Sequence, residues 1–178
     1  MSANSGGGAG ETPVPLNKDL FLRSMLRALT GVLEDVVGLD EAEGYVSVVG
    51  RELGREIGHD YTAAFAVERL DRAQLARVLV DLKARLDGDF SVVEETEDRI
   101  VFHNTRCPFG RKVENRESLC MMTSNVFGVI ASESQGYAKV TLERTIARGD
   151  GHCHVVVHLR PGAAEGREYF RRDDAAHG

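Results

Sequence analysis

The hydrophobic period of this chain first changes near Gly88. Before that point, apolar residues recur three and four positions apart, which is the spacing of one helix face. After it, two-residue alternation takes over, the spacing of a half-buried strand. A chain that reads helix first and strand later points to an α+β fold. Its N-terminal helices should pack on one antiparallel sheet, built from two β-hairpins joined by a helix.

In the helical half, Leu20, Phe21, Met25, Leu26, Leu29, Val32, Leu33 and Val36 mark a first helix that Gly38 can end. A second is expected over residues 40–57. It carries Gly44, Gly50, Gly54 and Gly58, several of them four apart. Small residues at that spacing admit a second backbone; clearance for a ligand is the other reading. Asp71 with Gln74 has the form of a capping box, and Leu75, Val78, Leu79, Leu82 and Leu86 follow on one face.

Past Gly88, FSVVEE and RIVFHN read as one hairpin. A helix is expected over residues 115–132, with Asn115 as N-cap. The stretch YAKVTLERTIA alternates cleanly, RGDG turns, and HCHVVVHL returns as the second hairpin.

The chain has 178 residues, 42% of them hydrophobic, enough for one domain with a real core. That domain is expected over residues 17–160. Residues 1–16 are Gly-, Ser- and Pro-rich and read as a disordered tail. Residues 161–178 are charged and Ala/Gly-rich and read as a flexible C-terminal tail, although Tyr169 and Phe170 offer docking groups. A net charge of −6 argues against direct nucleic-acid binding as the main role. No apolar run approaches the roughly 18 residues of a membrane span. The N-terminus lacks the basic and apolar stretches of a signal peptide, so a cytoplasmic location is expected. Three cysteines, an odd number, argue against a disulfide framework and for reduced thiols.

Those thiols are the first candidates for chemistry. Cys107 precedes a proline in the loop leaving the first hairpin, Cys120 sits early in the following helix, and Cys153 opens the last strand. Thiolate ligands for zinc or an iron–sulfur cluster come from separated elements of this kind. His103 and Glu143 are candidates for a fourth ligand. There is no CxxC, and two other readings stay open: buried structural cysteines, or a redox-sensing thiol at Cys120, its pKa lowered by a helix N-terminus. His152, His154 and His158 should face away from Cys153, because successive strand residues point apart. No Ser/His/Asp arrangement, phosphate loop or dinucleotide fingerprint is present.

The motif run CPFG…LC…SNVFG…GYAKV…TIARGDGHC resembles the methanogen output domain, and its closing segment resembles the related vinyl-4-reductase-type small-molecule-sensing domains. Those sensors end with an acidic residue, a GD turn and a cysteine; Glu143, Gly149, Asp150 and Cys153 match here. The run also resembles the hydrolases that open aminothiazoline carboxylate. The resemblance spans about residues 20–160. It implies a helix-then-sheet fold that dimerises through its N-terminal helices, a ligand pocket between helices and sheet, and in some sensor members a structural zinc near the Cys turn. Zinc-binding members carry a further cysteine where this chain has Ile146; Cys107 and Cys120 would have to replace it.

The expectation is therefore a non-enzymatic cytoplasmic sensory or regulatory domain. It would be a homodimer that responds to a small ligand or to redox state and acts through a signalling protein partner. The metal or cluster site would be Cys107, Cys120, Cys153 and His103. The alternative is a hydrolase of a small heterocycle or amide, with Cys107 or Cys120 as nucleophile and His103 as base. A third is an assembly scaffold without a ligand.

Overall fold

The computed structural model of the chain describes residues 14–172. Four helices, α1 (Lys18–Val37), α2 (Leu39–Phe65), α3 (Arg72–Ala84) and α4 (Cys120–Gln135), accompany five strands: β1 (Ser91–Glu95), β2 (Arg99–Asn104), β3 (Tyr137–Arg144), β4 (Cys153–His158) and β5 (Arg167–Phe170). The strands form one antiparallel sheet in the order β1-β2-β4-β3-β5. This is the expected α+β architecture, with both expected hairpins in place.

Local signals account for the helix ends. Asn17 caps α1, its Oδ1 accepting the Leu20 N–H at 2.8 Å. Asp71 and Gln74 close the capping box of α3, with bonds of 2.7 and 2.9 Å. The N-cap expected at Asn115 does not form. Asn115 instead takes a left-handed φ of 55°, between 3-10 turns at Gly110–Val113 and Glu117–Leu119. α4 therefore starts at Cys120.

α4 lies on the inner face of the sheet and α2 packs along α4. The glycines of α2 set that approach: a Cβ on Gly50 would stand 2.8 Å from Asn125 Cβ, and one on Gly54 3.0 Å from Val129 Cβ. Close helix packing, rather than ligand clearance, is what these two glycines serve. The main core is formed by Leu75, Leu79, Ile100, Phe102, Phe127, Ile130, Val155 and Val157. Phe127 meets the edges of Phe90 and Phe102 at 5.6 and 5.3 Å between centroids.

One expectation needs correction. The segment read as a flexible C-terminal tail supplies β5, which pairs with β3. Its anchor is Tyr169, 6% exposed. The ring sits where a Cβ on Gly128 would be, 2.2 Å from such an atom, and the hydroxyl meets Ser124 Oγ at 3.0 Å. The charged composition around one aromatic anchor hid this strand. The remainder of that segment, 173–178, and residues 1–13 of the expected N-terminal tail lie outside the described residues.

α1 presents a further feature. Its apolar stripe faces outward: Phe21, Met25, Leu29, Val32 and Val36 are exposed, Val36 by 75%. The buried positions of α1 are Thr30 and Gly31. No helix among the described residues is long and apolar enough to cross a membrane.

Candidate functional site

Antiparallel pairing sets Asn104 of β2 opposite Cys153 of β4, and Leu142 of β3 opposite Val155. All four side chains line one pocket on the helix side of the sheet. From β2 the chain passes through Cys107-Pro108-Phe109-Gly110, where the Gly110 N–H donates to the Cys107 carbonyl at 2.8 Å and Gly110 takes a φ of 57°. Residues 105–119 then cross over the pocket, contributing Cys107, Phe109, Val113 and Leu119 to its lining. The first residue of α4, Cys120, and Thr123 one turn on complete that side.

The stretch TIARGDGHC forms the remaining wall, and it braces itself. Asp150 Oδ2 accepts the Thr145 N–H at 2.8 Å, Thr145 Oγ1 accepts the Arg148 N–H at 3.2 Å, and Cys153 Sγ accepts the Ile146 N–H at 3.5 Å. Gly149 and Gly151 hold the turn with φ of 89° and 73°. The result presents Thr145, Ile146 and Ala147 to the cavity. Its centre measures about 20 Å³, room for about one water molecule.

The cover formed by residues 105–119 is tied to α1. The Arg27 guanidinium donates to the Lys112 and Glu114 carbonyls at 2.6 and 2.7 Å. Glu34 accepts from Ser118 Oγ at 2.5 Å and pairs with Arg116 at 3.3 Å. Leu26 packs against the small apolar cluster of Val113, Leu119 and Ala147 beneath.

Cys107, Cys120 and Cys153 all line this one pocket as free thiols. Burial pushes each of them above the ordinary thiol range, Cys120 up to about 12. Burial, with the neighbouring Cys153 and Cys107, acts against the lowered pKa expected of Cys120 at a helix start. Thiols held protonated are poor nucleophiles.

His103 does not join them. It lies on the outer face of the sheet, opposite His154 in register, with its ring 5.1 Å from that of His152. Strand alternation turns it away and sends its neighbour Asn104 to the pocket. Glu143 is on the outer side too, 3.5 Å from His154 Nε2. Among the described residues no group of three or more His, Cys, Asp or Glu side chains is placed to hold a metal ion. The thiols have the chemistry of zinc or iron–sulfur ligands, but in this arrangement they do not fit as a ligand set.

Two polar residues that the sequence reading passed over stand at the site. Asn104 is 1% exposed; its Nδ2 donates to the Arg106 carbonyl at 3.0 Å, which leaves its buried Oδ1 without a partner. Lys83, 5% exposed, donates to Thr123 Oγ1 at 2.8 Å and stands 5.3 and 5.2 Å from the ring centres of Phe90 and Phe127. Burial pulls its pKa down to about 8, partly opposed by the three cysteines. The sequence signal was available: Lys83 falls four residues after Leu79 on the apolar face of α3, and Asn104 two residues after Phe102 on the inward face of β2.

No curated protein matches the chain by sequence. Among solved structures, the phenol-responsive sensory domain of the transcription activator PoxR with phenol has a similar fold. Its TM-score is 0.62 at 15% identity, covering 84% of this chain and 78% of that one. A trafficking protein particle complex subunit 3 from Naegleria fowleri, covalently bound to palmitic acid, reaches a TM-score of 0.58 at 12% identity, covering 83% of this chain and 98% of that one. The family model of methanogen output domain 1 matches residues 25–158, a span that holds α2, the whole pocket and its cover, and the chain belongs to that family.

Proposed function

We propose that this chain is a small-molecule-sensing regulatory domain whose ligand enters the three-thiol pocket. The observation that carries this reading is the attachment of the pocket's cover to α1 through Arg27 and Glu34. In this reading a ligand larger than one water displaces residues 105–119, and displacement there pulls on the helix that bears the exposed apolar stripe. Pocket occupancy is thereby converted into a change at a surface suited to a second copy of the chain or to a signalling partner. The phenol held by one structural neighbour and the palmitic acid bound to the other support a fold that accepts small organic molecules. A cytoplasmic setting suits three free thiols.

The test is a thermal-shift screen of small organic compounds on the wild type and on Leu142→Trp, which fills the pocket. Compounds that stabilise the wild type and lose their effect on the variant support the reading. Compounds that stabilise both equally bind elsewhere and overturn it.

A second reading keeps Cys107, Cys120 and Cys153 as ligands of a zinc ion or an iron–sulfur cluster. It is favoured by the Ile146 N–H directed at the sulfur of Cys153 and by all three thiols lining one pocket; it requires the sulfurs to draw together and a fourth donor to be found. Metal analysis of protein purified without oxygen decides it: one equivalent of zinc, or iron with sulfide, lost in Cys107→Ser, establishes the metal site.

A further inference from the structure

We infer that Lys83 is the anchor for the acid group of the ligand, and that the ligand is a small organic acid carrying an O–H or N–H donor for Asn104. This rests on the reading of the pocket as a ligand site and names the class of molecule it takes.

Lys83 is a buried ammonium without a counter-anion. Taking a charge out of water is costly unless it is paired. Among the described residues the charged or titratable groups that reach Lys83 are the three cysteines, on the cover, on α4 and on β4, and burial keeps those thiols protonated. The partners it has are the Thr123 hydroxyl and the faces of Phe90 and Phe127. Its place in the last turn of α3 favours a cation modestly, but one hydroxyl leaves two of the three ammonium donors to be satisfied. Phe90 and Thr123, the groups that hold Lys83, are themselves part of the pocket lining. A carboxylate there gives the ammonium its missing charge.

Asn104 is an independent sign of the same site. Its orientation is fixed by the bond to the Arg106 carbonyl, so the bare Oδ1 is a buried acceptor at the wall of the cavity. A buried acceptor left empty costs about 1–3 kcal/mol, and a donor on the ligand recovers it. An amide oxygen without a donor in the pocket lining, and an ammonium without an anion held by two lining residues, Thr123 and Phe90, define a ligand with both groups. A purely apolar ligand would satisfy neither.

Three-carbon probes separate these contributions. Propionate and propionamide differ at the charge, lactate and propionate at one hydroxyl. Binding is followed by NMR titration of methyl-labelled protein. Wild type should prefer propionate over propionamide by about tenfold or more, as a charge-assisted bond requires, and lactate over propionate. Lys83→Met should lose the first preference and keep the second; Asn104→Leu should do the reverse. The Lys83 ε-carbon signal of wild type should titrate at higher pH with propionate than without, a readout that a purely structural lysine would not give and that survives if Lys83→Met fails to fold. Equal binding of acid and amide by wild type, or an unchanged Lys83 titration with propionate bound, overturns the assignment while leaving the pocket reading intact. Shifts confined to methyls outside the pocket overturn both.

Discussion

Lys83 is where burial and charge conflict most sharply. Its folded pKa of about 8 lies below the ordinary 10.5. Below pH 8 the lysine is charged in both folded and unfolded chains, and the folded state bears the full desolvation cost. Between pH 8 and 10.5 the folded chain releases the proton first and the cost fades. Lys83→Met should therefore stabilise the ligand-free protein by up to about 3 kcal/mol at pH 7, with the gain shrinking toward pH 10.5. Chemical denaturation of both proteins across that range measures the difference. Cys120 acts in the opposite sense: its raised pKa of about 12 removes stability as pH rises above the ordinary thiol value of 9, so only the comparison between variants isolates Lys83. The thiols carry a prediction of their own. Held protonated, Cys107, Cys120 and Cys153 should alkylate with iodoacetamide at pH 7.5 far more slowly in the native protein than in denaturant, by mass spectrometry; rapid native labelling of any of them would revive a nucleophile or a redox switch.

Helices and strands follow from periodicity where neighbours share a face, and here that logic reached most of the fold. The capping box of α3 and the two hairpins were legible in Asp71, Gln74 and the alternation through Val140 and Val155. What escaped depends on long-range contacts. β5 is four residues held by one tyrosine, Tyr169, against Gly128, a partner far off in the sequence. The inward turn of Asn104 and outward turn of His103 hinge on a one-residue register, and His103 was chosen by chemistry rather than by face. The convergence of the three cysteines was legible, but the lysine beside them was not, because charge on a helix normally signals solvent. The glycines of α2 give a prediction at this scale. Gly54→Val should destabilise by about 1–3 kcal/mol through overpacking against α4, whereas Gly44→Ala, with nothing within 4 Å of a new Cβ, should be neutral or gain up to about 1 kcal/mol of helix propensity. Thermal unfolding of the two variants distinguishes a packing seam from mere flexibility.

At the scale of the molecule, the pocket and the α1 surface lie on opposite sides of one cover. The exposed Leu29 and Val32 leave an apolar stripe that water tolerates poorly, and we propose a second copy of the chain as its occupant. Analytical ultracentrifugation should find the wild type self-associating, and Leu29→Glu with Val32→Glu weaker in this by an order of magnitude or more with far-ultraviolet circular dichroism unchanged; a monomeric wild type would contradict this. The central claim, that a ligand in the pocket is felt at α1, is tested most directly by methyl NMR of the wild type during a fragment titration. The account predicts that fragments shifting the Val113, Leu142 and Val155 methyls also shift Leu26 and Leu29, and that Glu34→Gln weakens the second response without the first. Fragments that move the pocket methyls while Leu26 and Leu29 stay fixed, or a library that never moves the pocket methyls, would contradict it.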